Sequence, residues 1–344
     1  MLQINFHGVG DGDCIVIEFP DSSVGVVDSR SRPGTSVFPA IERVRGRKLA
    51  FCCMTHPHAD HFRGLREVME AADLTGQTSS VFWHTLTELD KIHEGLFTIS
   101  GFDGKDPATD AQERDDLDYL RKLFLWMAKS HGKDFAESFR QITHRKIAGV
   151  QLTLVAPSSL AWASYREEIE RKRLAKAPLT YSRANDISLG LMIEYAGKRV
   201  WLLGDLGGGE QQALPQRIKA ASPGEANRVI KADVIKIAHH GAQNAWNDEV
   251  PSLLTTCDAS NVVVVSADGS RHPNQKVLDS WVATGKRVVG TWRSATLPSH
   301  GALPSWSDSV LDLIAPKYQL NSLRDIRVSI DASGQLTLHV LDVP

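Results

Sequence analysis

Cysteine is scarce in this chain. Four occur among 344 residues, Cys14, Cys52, Cys53 and Cys257, and no two stand in a CxxC pair. Cys52 and Cys53 are adjacent in one apolar run, so on a strand they face opposite sides. A disulfide framework is therefore not expected; small buried thiols and a reducing compartment are. Long apolar runs are missing too. None approaches the roughly 18–20 residues that a membrane helix needs. The opening, Met1 to His7 (MLQINFH), has no basic start followed by an apolar stretch, and it reads as a strand rather than a signal peptide. The expectation is a cytoplasmic protein without membrane contact. Charge of one sign is lacking as well, since 39 Lys and Arg stand against 41 Asp and Glu. That balance excludes a global basic footprint, so any nucleic-acid contact has to come from a local patch. Apolar residues make up 42% of the chain, enough for a sizeable core, and no repeat, low-complexity tract or linker divides it. A single domain over residues 1–344 is expected.

The periodicities alternate. Ile4 to His7, Cys14 to Phe19 and Gly25 to Val27 are short, β-rich and separated by Gly, Asp or Ser. Leu49 to Met54 reads as a buried strand, and Phe62 to Ala72 as a helix with Leu65, Val68 and Met69 on one face. Residues from about 86 to 147 change character. Asp115 to His131 has helical spacing, Asp134 to Thr143 continues in the same way, and the segment is expected to be a mainly helical insertion. Val150 to Val155 is a strand, and Tyr165 to Lys176 a polar, basic helix ended by Pro178. Strands follow at Ser188 to Tyr195, Arg199 to Leu203, Val234 to Ala238, Asn261 to Ser266 and Lys286 to Gly290, with helices at Glu210 to Ala221 and Gln275 to Thr284. A hairpin around Ala332-Ser333-Gly334 closes the pattern. Strands followed by helices, twice over, fit an α/β layered fold.

The densest chemistry lies in His56-Pro57-His58-Ala59-Asp60-His61, directly after the apolar run that ends at Thr55. Three imidazoles and a carboxylate in six residues suit zinc, manganese or iron. On a loop, His56 and His58 can turn to one ion while Asp60 and His61 face a second. Other strand ends add Asp28, Asp205 and His239-His240, and strand C-termini are where open α/β sheets build sites. Asp205 is the candidate acid between two ions, and His240 or His239 the late histidine. Two divalent ions so placed activate water and polarise an ester or phosphoryl oxygen, which implies hydrolysis.

His56, His58, Asp60 and His61 match the HxHxDH hallmark of the metallo-β-lactamase superfamily. The chain also resembles the hydrolase domain of the competence protein ComEC and its soluble relatives. Gly8 to Cys14 (GVGDGDC) is similar to that branch's VGQGD, Val26 to Ser29 to its IDTG, Asn185 to Leu189 to its NNxSL, and Leu202 to Asp205 to its LTGD. Asp233 to Gly241 (DVIKIAHHG) is similar to DxLKxxHHG, and Arg271-His272-Pro273 to GHP. These motifs keep family order from Gly8 to about Trp292. The resemblance implies a four-layer αββα sandwich with two divalent ions, zinc or manganese, at one edge. It also implies phosphodiester hydrolysis, with DNA or RNA as the substrate partner. The chain departs from the superfamily at Asn185, where many members carry a further histidine, and from the branch at Asp11, where it has Gln.

The remaining site expectations follow. Asp60 and His272 are expected in catalysis, His272 by donating a proton to the leaving oxygen or holding a phosphate. His56, His58, Asp60, His61, Asp205 and His240 are expected to hold metal. Asn185, Ser188, His239 and Arg183 are expected to meet substrate, and Asp28 to orient the metal loop through hydrogen bonds. Arg166, Arg171, Lys172, Arg173 and Lys176 precede the Asn185 loop and could steer a phosphate backbone, although Glu167, Glu168 and Glu170 partly neutralise them. The stripe Leu117, Leu120, Leu123, Phe124 and Met127 is either core or a homodimer contact. The alternatives to a nuclease are a hydrolase of a lactone, thioester, β-lactam or phosphocholine-type ester, and a partner-binding protein with a vestigial metal site.

Overall fold

The structure, a computed structural model, describes residues 1–32, 38–76, 80–86, 107–175, 184–221, 230–255, 261–269, 272–292 and 323–342. Of the residues singled out above, Lys176, Pro178, Arg183, Cys257 and Arg271 lie outside these, and so does most of the 86–106 part of the insertion. The side chains of Leu117, Lys172 and Arg173 are outside them too.

The elements in chain order are β1 (Leu2–Phe6), β2 (Ile15–Glu18), β3 (Val24–Val27), α1 (Pro39–Val44), β4 (Leu49–Cys53), α2 (Ala59–Phe62), α3 (Leu65–Ala71), β5 (Phe82–His84) and α4 (Pro107–His131). They continue with β6 (Ala136–Ser138), β7 (Thr143–Ile147), β8 (Val150–Val155), α5 (Ser159–Leu174), β9 (Gly190–Tyr195), β10 (Lys198–Leu202), α6 (Gly208–Ala221), β11 (Val234–Lys236) and α7 (Val250–Leu254). The last are β12 (Val262–Val265), α8 (Gln275–Ala283), β13 (Arg287–Gly290), β14 (Arg324–Ile330) and β15 (Leu336–Asp342).

Two mixed sheets form. The first has the order β15-β14-β1-β2-β3-β4-β5-β6, and the second β13-β12-β11-β10-β9-β8-β7. Each is antiparallel in one half and parallel in the other: β3 to β6 run parallel in the first sheet and β10 to β13 in the second. Parallel strands covered on both faces read as continuous apolar runs, as Val262–Val265 (VVVV) does. Leu2, Ile4, Phe6, Ile15, Phe51 and Trp83 of the first sheet meet Leu152, Leu154, Leu191, Ile193, Leu202 and Val264 of the second in one buried cluster. A second cluster joins the outer face of the first sheet to α1, α3, α4 and α5, and a third joins the outer face of the second sheet to α6, α7 and α8. The result is a four-layer αββα sandwich, the metallo-β-lactamase fold.

The segment expected to be a helical insertion is only partly so. Asp115 to His131 lies within α4, but Asp134 to Thr143 is not a helix. A short turn at Lys133–Phe135 leads into β6, which pairs with β5, and Thr143 begins β7, which pairs with β8. Both strands are short edge strands, too brief for an alternating pattern to show in sequence. The stripe on α4 is core: Leu120, Leu123, Phe124 and Met127 are all buried within the monomer. The helix expected from Phe62 is broken at Gly64, whose φ of +99° is left-handed and which lies against the Phe38 ring. The helix expected from Tyr165 begins earlier, at Ser159, because Ser158 Oγ accepts the Ala161 amide hydrogen as a cap.

Candidate metal centre

Strand ends from both sheets converge at one edge. β4 leaves the first sheet after Cys53, and His56 to His58 form the loop that starts α2, where the His61 amide donates to the His58 carbonyl at 2.9 Å. From the second sheet come Asp205, three residues beyond β10, and His239-His240, just beyond β11. The seam is stitched by backbone. The Leu189 amide donates across it to the Thr55 carbonyl at 2.9 Å, and within the second sheet the His239 amide donates to the Gly204 carbonyl at 3.0 Å. Gly204 has φ +51°, and a Cβ there would stand 3.1 Å from that of Thr55, so the two sheets come close here where no side chain intervenes. His239 and His240 both hold left-handed backbone, with φ of 48° and 53°. Two consecutive non-glycine residues in this region are uncommon, and such strain gathers at functional sites.

The ligand atoms fall into two sets that share one carboxylate. His56 Nε2 lies 3.0 Å from His58 Nδ1 and 3.7 Å from Asp205 Oδ2. On the other side, Asp205 Oδ1 lies 3.6 Å from His61 Nε2 and 3.7 Å from His240 Nε2, and Asp60 Oδ2 lies 3.7 and 3.8 Å from the same two nitrogens. Most of these separations are too long for hydrogen bonds. They are close to the roughly 3.4 Å edge of a tetrahedron whose centre lies about 2.1 Å from each ligand. His61 Nε2, His240 Nε2 and Asp205 Oδ1 are buried and have no hydrogen-bond partner. Buried polar atoms without partners call for an explanation, and a cation between them supplies one.

The opposite edges of these rings are held. Asp28 Oδ2 accepts from His61 Nδ1 at 2.7 Å and from the Thr55 hydroxyl at 2.7 Å, and Asp28 Oδ1 accepts the Thr55 amide at 2.8 Å. His240 Nδ1 donates to the Ser266 carbonyl at 2.7 Å. In both rings a proton is thereby held on Nδ1 and Nε2 faces inward.

Beneath them lies a pair that the sequence reading missed. Lys236, on β11, is fully buried and donates to Asp13 Oδ2, from the loop between β1 and β2. Asp13 is also 4.0 Å from His61 Nδ1 and from His240 Nδ1. Burial opposes the charge on Asp13, but Lys236 and the nearby imidazoles overcome it and lower its pKa. A lysine inside the apolar run Val234 to Ala238 was the available signal, because a buried strand holds an ammonium only beside a partner.

The electrostatics fit divalent cations. Asp13, Asp28, Asp60 and Asp205 stand against Lys236, a formal charge of −3 when the imidazoles are neutral, which two divalent cations would offset. Burial raises Asp205 to about 7, against the pull of His61 and Lys236. Burial also works against a charged His61, but Asp205, Asp28 and Asp60 prevail and raise it to about 10. Burial and the surrounding imidazoles hold His56 well below the usual histidine range. His240 falls to about 3 through burial and Lys236, and His239 to about 4 through burial and His272. Without a cation His61 thus carries a proton where the cation would sit, while His56 and His240 stay neutral and ready to ligate.

The expected site residues are placed as follows. His56, His58 and Asp205 form one set, and Asp60, His61 and His240 the other. His239 stands at the open edge of the first set, 3.8 Å from Asp205 Oδ2 and 3.1 Å from the Asn185 amide nitrogen. The His272 ring is 5.6 Å from that of His239 and 6.2 Å from that of His240, at the mouth. Ser188, expected to meet substrate, lies below the surface of the site. It is fully buried, and its hydroxyl accepts the Asp205 amide at 3.1 Å, so it positions the shared carboxylate. The helical insertion supports the metal loop from α4. Arg63 pairs with Asp115 and Asp116 at 2.6 Å, and the Tyr119 hydroxyl accepts the Gly64 amide at 2.9 Å and donates to Glu67 at 2.6 Å.

No family model matches the chain, and no curated protein does. Among solved structures it is similar to CmlA, a diiron β-hydroxylase from Streptomyces venezuelae, with a TM-score of 0.46 and 10% identity over 83% of this chain and 52% of that one. A variant of the same hydroxylase gives 0.46, 9%, 84% and 52%. Zn2+-bound PqqB from Methylobacterium extorquens gives 0.35 and 12% identity over 81% of this chain and 85% of that one. The chain spans about half the length of CmlA. None of these three likenesses reaches a TM-score of 0.5.

Proposed function

We propose that this chain is a metal-dependent hydrolase that cleaves the phosphodiester bonds of a nucleic acid. The observation that carries the reading is the Asp205 carboxylate, with one oxygen toward each set of ligands. A carboxylate shared in this way would let one residue serve both ligand sets. His56, His58 and Asp205 would hold one ion, and Asp60, His61, His240 and Asp205 the other. Bound there, such ions supply an attacking water acidic enough to act near neutral pH and polarise the phosphoryl oxygen. The first set has three protein ligands, which leaves room for substrate.

The chain's own residues do the rest. Asp28 and Ser266 hold the Nδ1 protons of His61 and His240 and aim their Nε2 atoms inward. Ser188 fixes Asp205 through its amide. Lys236 offsets part of the carboxylate charge from below, so that the site binds cations without requiring a third. His239 and Asn185 line the open edge where a substrate oxygen arrives. His272, whose ring lies 5.6 Å from that of His239, would hand a proton to the departing oxygen. The ordered ComEC-like motifs favour a phosphodiester over other esters.

The test is hydrolysis of end-labelled single-stranded DNA, and then RNA, by the pure protein with manganese or zinc, beside an Asp60→Ala control. Metal-dependent cleavage that vanishes in the control is expected. No cleavage of either polymer with two metals bound would redirect the assignment to a small ester. Failure to retain any metal would favour a vestigial site.

A further inference from the structure

We propose that Arg30 binds the anionic group of the substrate at this centre, and that it selects a phosphoryl oxygen over a neutral ester. This rests on the phosphodiesterase reading and goes beyond it by naming the residue that recognises the charge.

Arg30 follows β3 and Asp28, and its side chain is 39% exposed. Nη1 donates to the Asp11 carbonyl and lies 3.9 Å from Asp60 Oδ2. That oxygen also faces His61 Nε2 and His240 Nε2, so the guanidinium stands at the edge of the second ligand set. The seat is built for it. Gly12, at φ +127°, has no Cβ; one placed there would lie 2.8 Å from Arg30 Cδ and 2.5 Å from the Asp60 carbonyl oxygen. Only glycine lets the Arg30 side chain, the Asp11–Asp13 loop and Asp60 come this close.

Other cations near the centre are engaged elsewhere. Lys236 is sealed against Asp13, Arg32 reaches Asp325, and Arg63 reaches Asp115 and Asp116. Arg30 differs, because its charged end faces both solvent and the ligand set. A guanidinium has five N–H donors in a planar fork, a match for two oxygens of one phosphate. A contact with the Asp11 carbonyl leaves most of that fork open. Once Asp60 is committed to a cation, its hold on Arg30 weakens and an arriving anion can take its place. A phosphodiester offers a negative charge and two non-bridging oxygens, whereas a neutral ester offers one carbonyl oxygen and no charge.

The experiment uses the metal-loaded full chain and its Arg30→Ala and Arg30→Lys variants. Metal content and thermal midpoint are measured first, and inorganic phosphate is then titrated calorimetrically. Expected are unchanged metal content, phosphate affinity at least tenfold weaker in Arg30→Ala, and partial recovery in Arg30→Lys. On a cleavable nucleic acid, kcat/KM should fall about a hundredfold in Arg30→Ala, the scale seen when one donor to a developing negative charge is lost. Equal phosphate affinity in wild type and Arg30→Ala would overturn the proposal, as would a wild type that binds no phosphate. Loss of metal or a large drop in midpoint in Arg30→Ala would also overturn it, by making Arg30 a clamp between two loops. Arg30-dependent phosphate binding without nucleic-acid cleavage would support the anion site and remove the phosphodiesterase reading alone.

Discussion

Asp28→Asn isolates one hydrogen bond of the centre. The substitution keeps shape and volume, and Oδ1 can still accept the Thr55 amide, now made at 2.8 Å. The other position changes. An amide nitrogen replaces Oδ2, which accepts from both the Thr55 hydroxyl and His61 Nδ1 at 2.7 Å. That nitrogen can only donate. The hydroxyl can rotate to accept, but His61 can accept only by moving its proton from Nδ1 to Nε2. Nε2 is the atom that faces Asp60 and Asp205, at 3.7 and 3.6 Å. A protonated Nε2 has no lone pair for a cation. Losing the outer partner of a metal-binding histidine typically weakens affinity 10- to 100-fold, about 1.4–2.7 kcal/mol. Competition titration against a coloured chelator resolves the two ions, with His58→Ala marking the step that belongs to the first set. In Asp28→Asn the other step should weaken 10- to 100-fold while the first stays within about twofold. Two unchanged steps would refute the tautomer argument. So would equal weakening of both with a lowered thermal midpoint, which would show a folding defect instead.

Three further outcomes are expected. Lys236→Met leaves Asp13 buried without its partner and should cost about 3–5 kcal/mol in denaturant unfolding, most of which returns in Lys236→Met/Asp13→Asn. In metal-free protein the folded-state pKa of His61, about 10, lies above its unfolded value, so its stabilising effect is full below about pH 6.5 and is lost as pH rises toward 10. Unfolding of metal-free protein at pH 7, 8 and 9 should therefore show falling stability, and Asp28→Asn should flatten that fall. Tyr119→Phe removes the hydroxyl shared by the Gly64 amide and Glu67 and should cost about 1–2 kcal/mol, read as a lowered denaturation midpoint with metal content unchanged.

Much of the centre was legible because its residues have no other use. Three histidines and an aspartate within six residues after an apolar strand cannot be packed as core, and Asp205 and His240 close runs of buried β residues. The layering was legible from the alternation of strand and helix periods. What was hidden depended on long-range pairing. Asp13 and Lys236 are 223 positions apart, and neither says alone that it will neutralise the other. Ser188 reads as a strand serine near a loop, and only the return of β10 beside β9 turns its hydroxyl onto the Asp205 amide. Gly12 lies in a motif and Arg30 in none, and their link to Asp60 arises only where two loops meet the start of α2. β6 and β7 lie in the segment that reads as mainly helical, because short edge strands carry too few residues for a period to emerge.

The shared carboxylate also makes the centre a tether between two layers of the molecule. His56 belongs to the first sheet and Asp205 to the second, 149 positions apart in the chain. A cation held by both would close a loop of that length without a covalent bond, and it would bind only when the two inner faces are already packed together. Affinity for the ion then includes the free energy of docking sheet on sheet. A substitution deep in that packing, such as at Phe51 or Leu202, would loosen the ion without touching a ligand. Slowed amide exchange on ion binding should appear in β4 and β10 together, as strands of one cooperative unit.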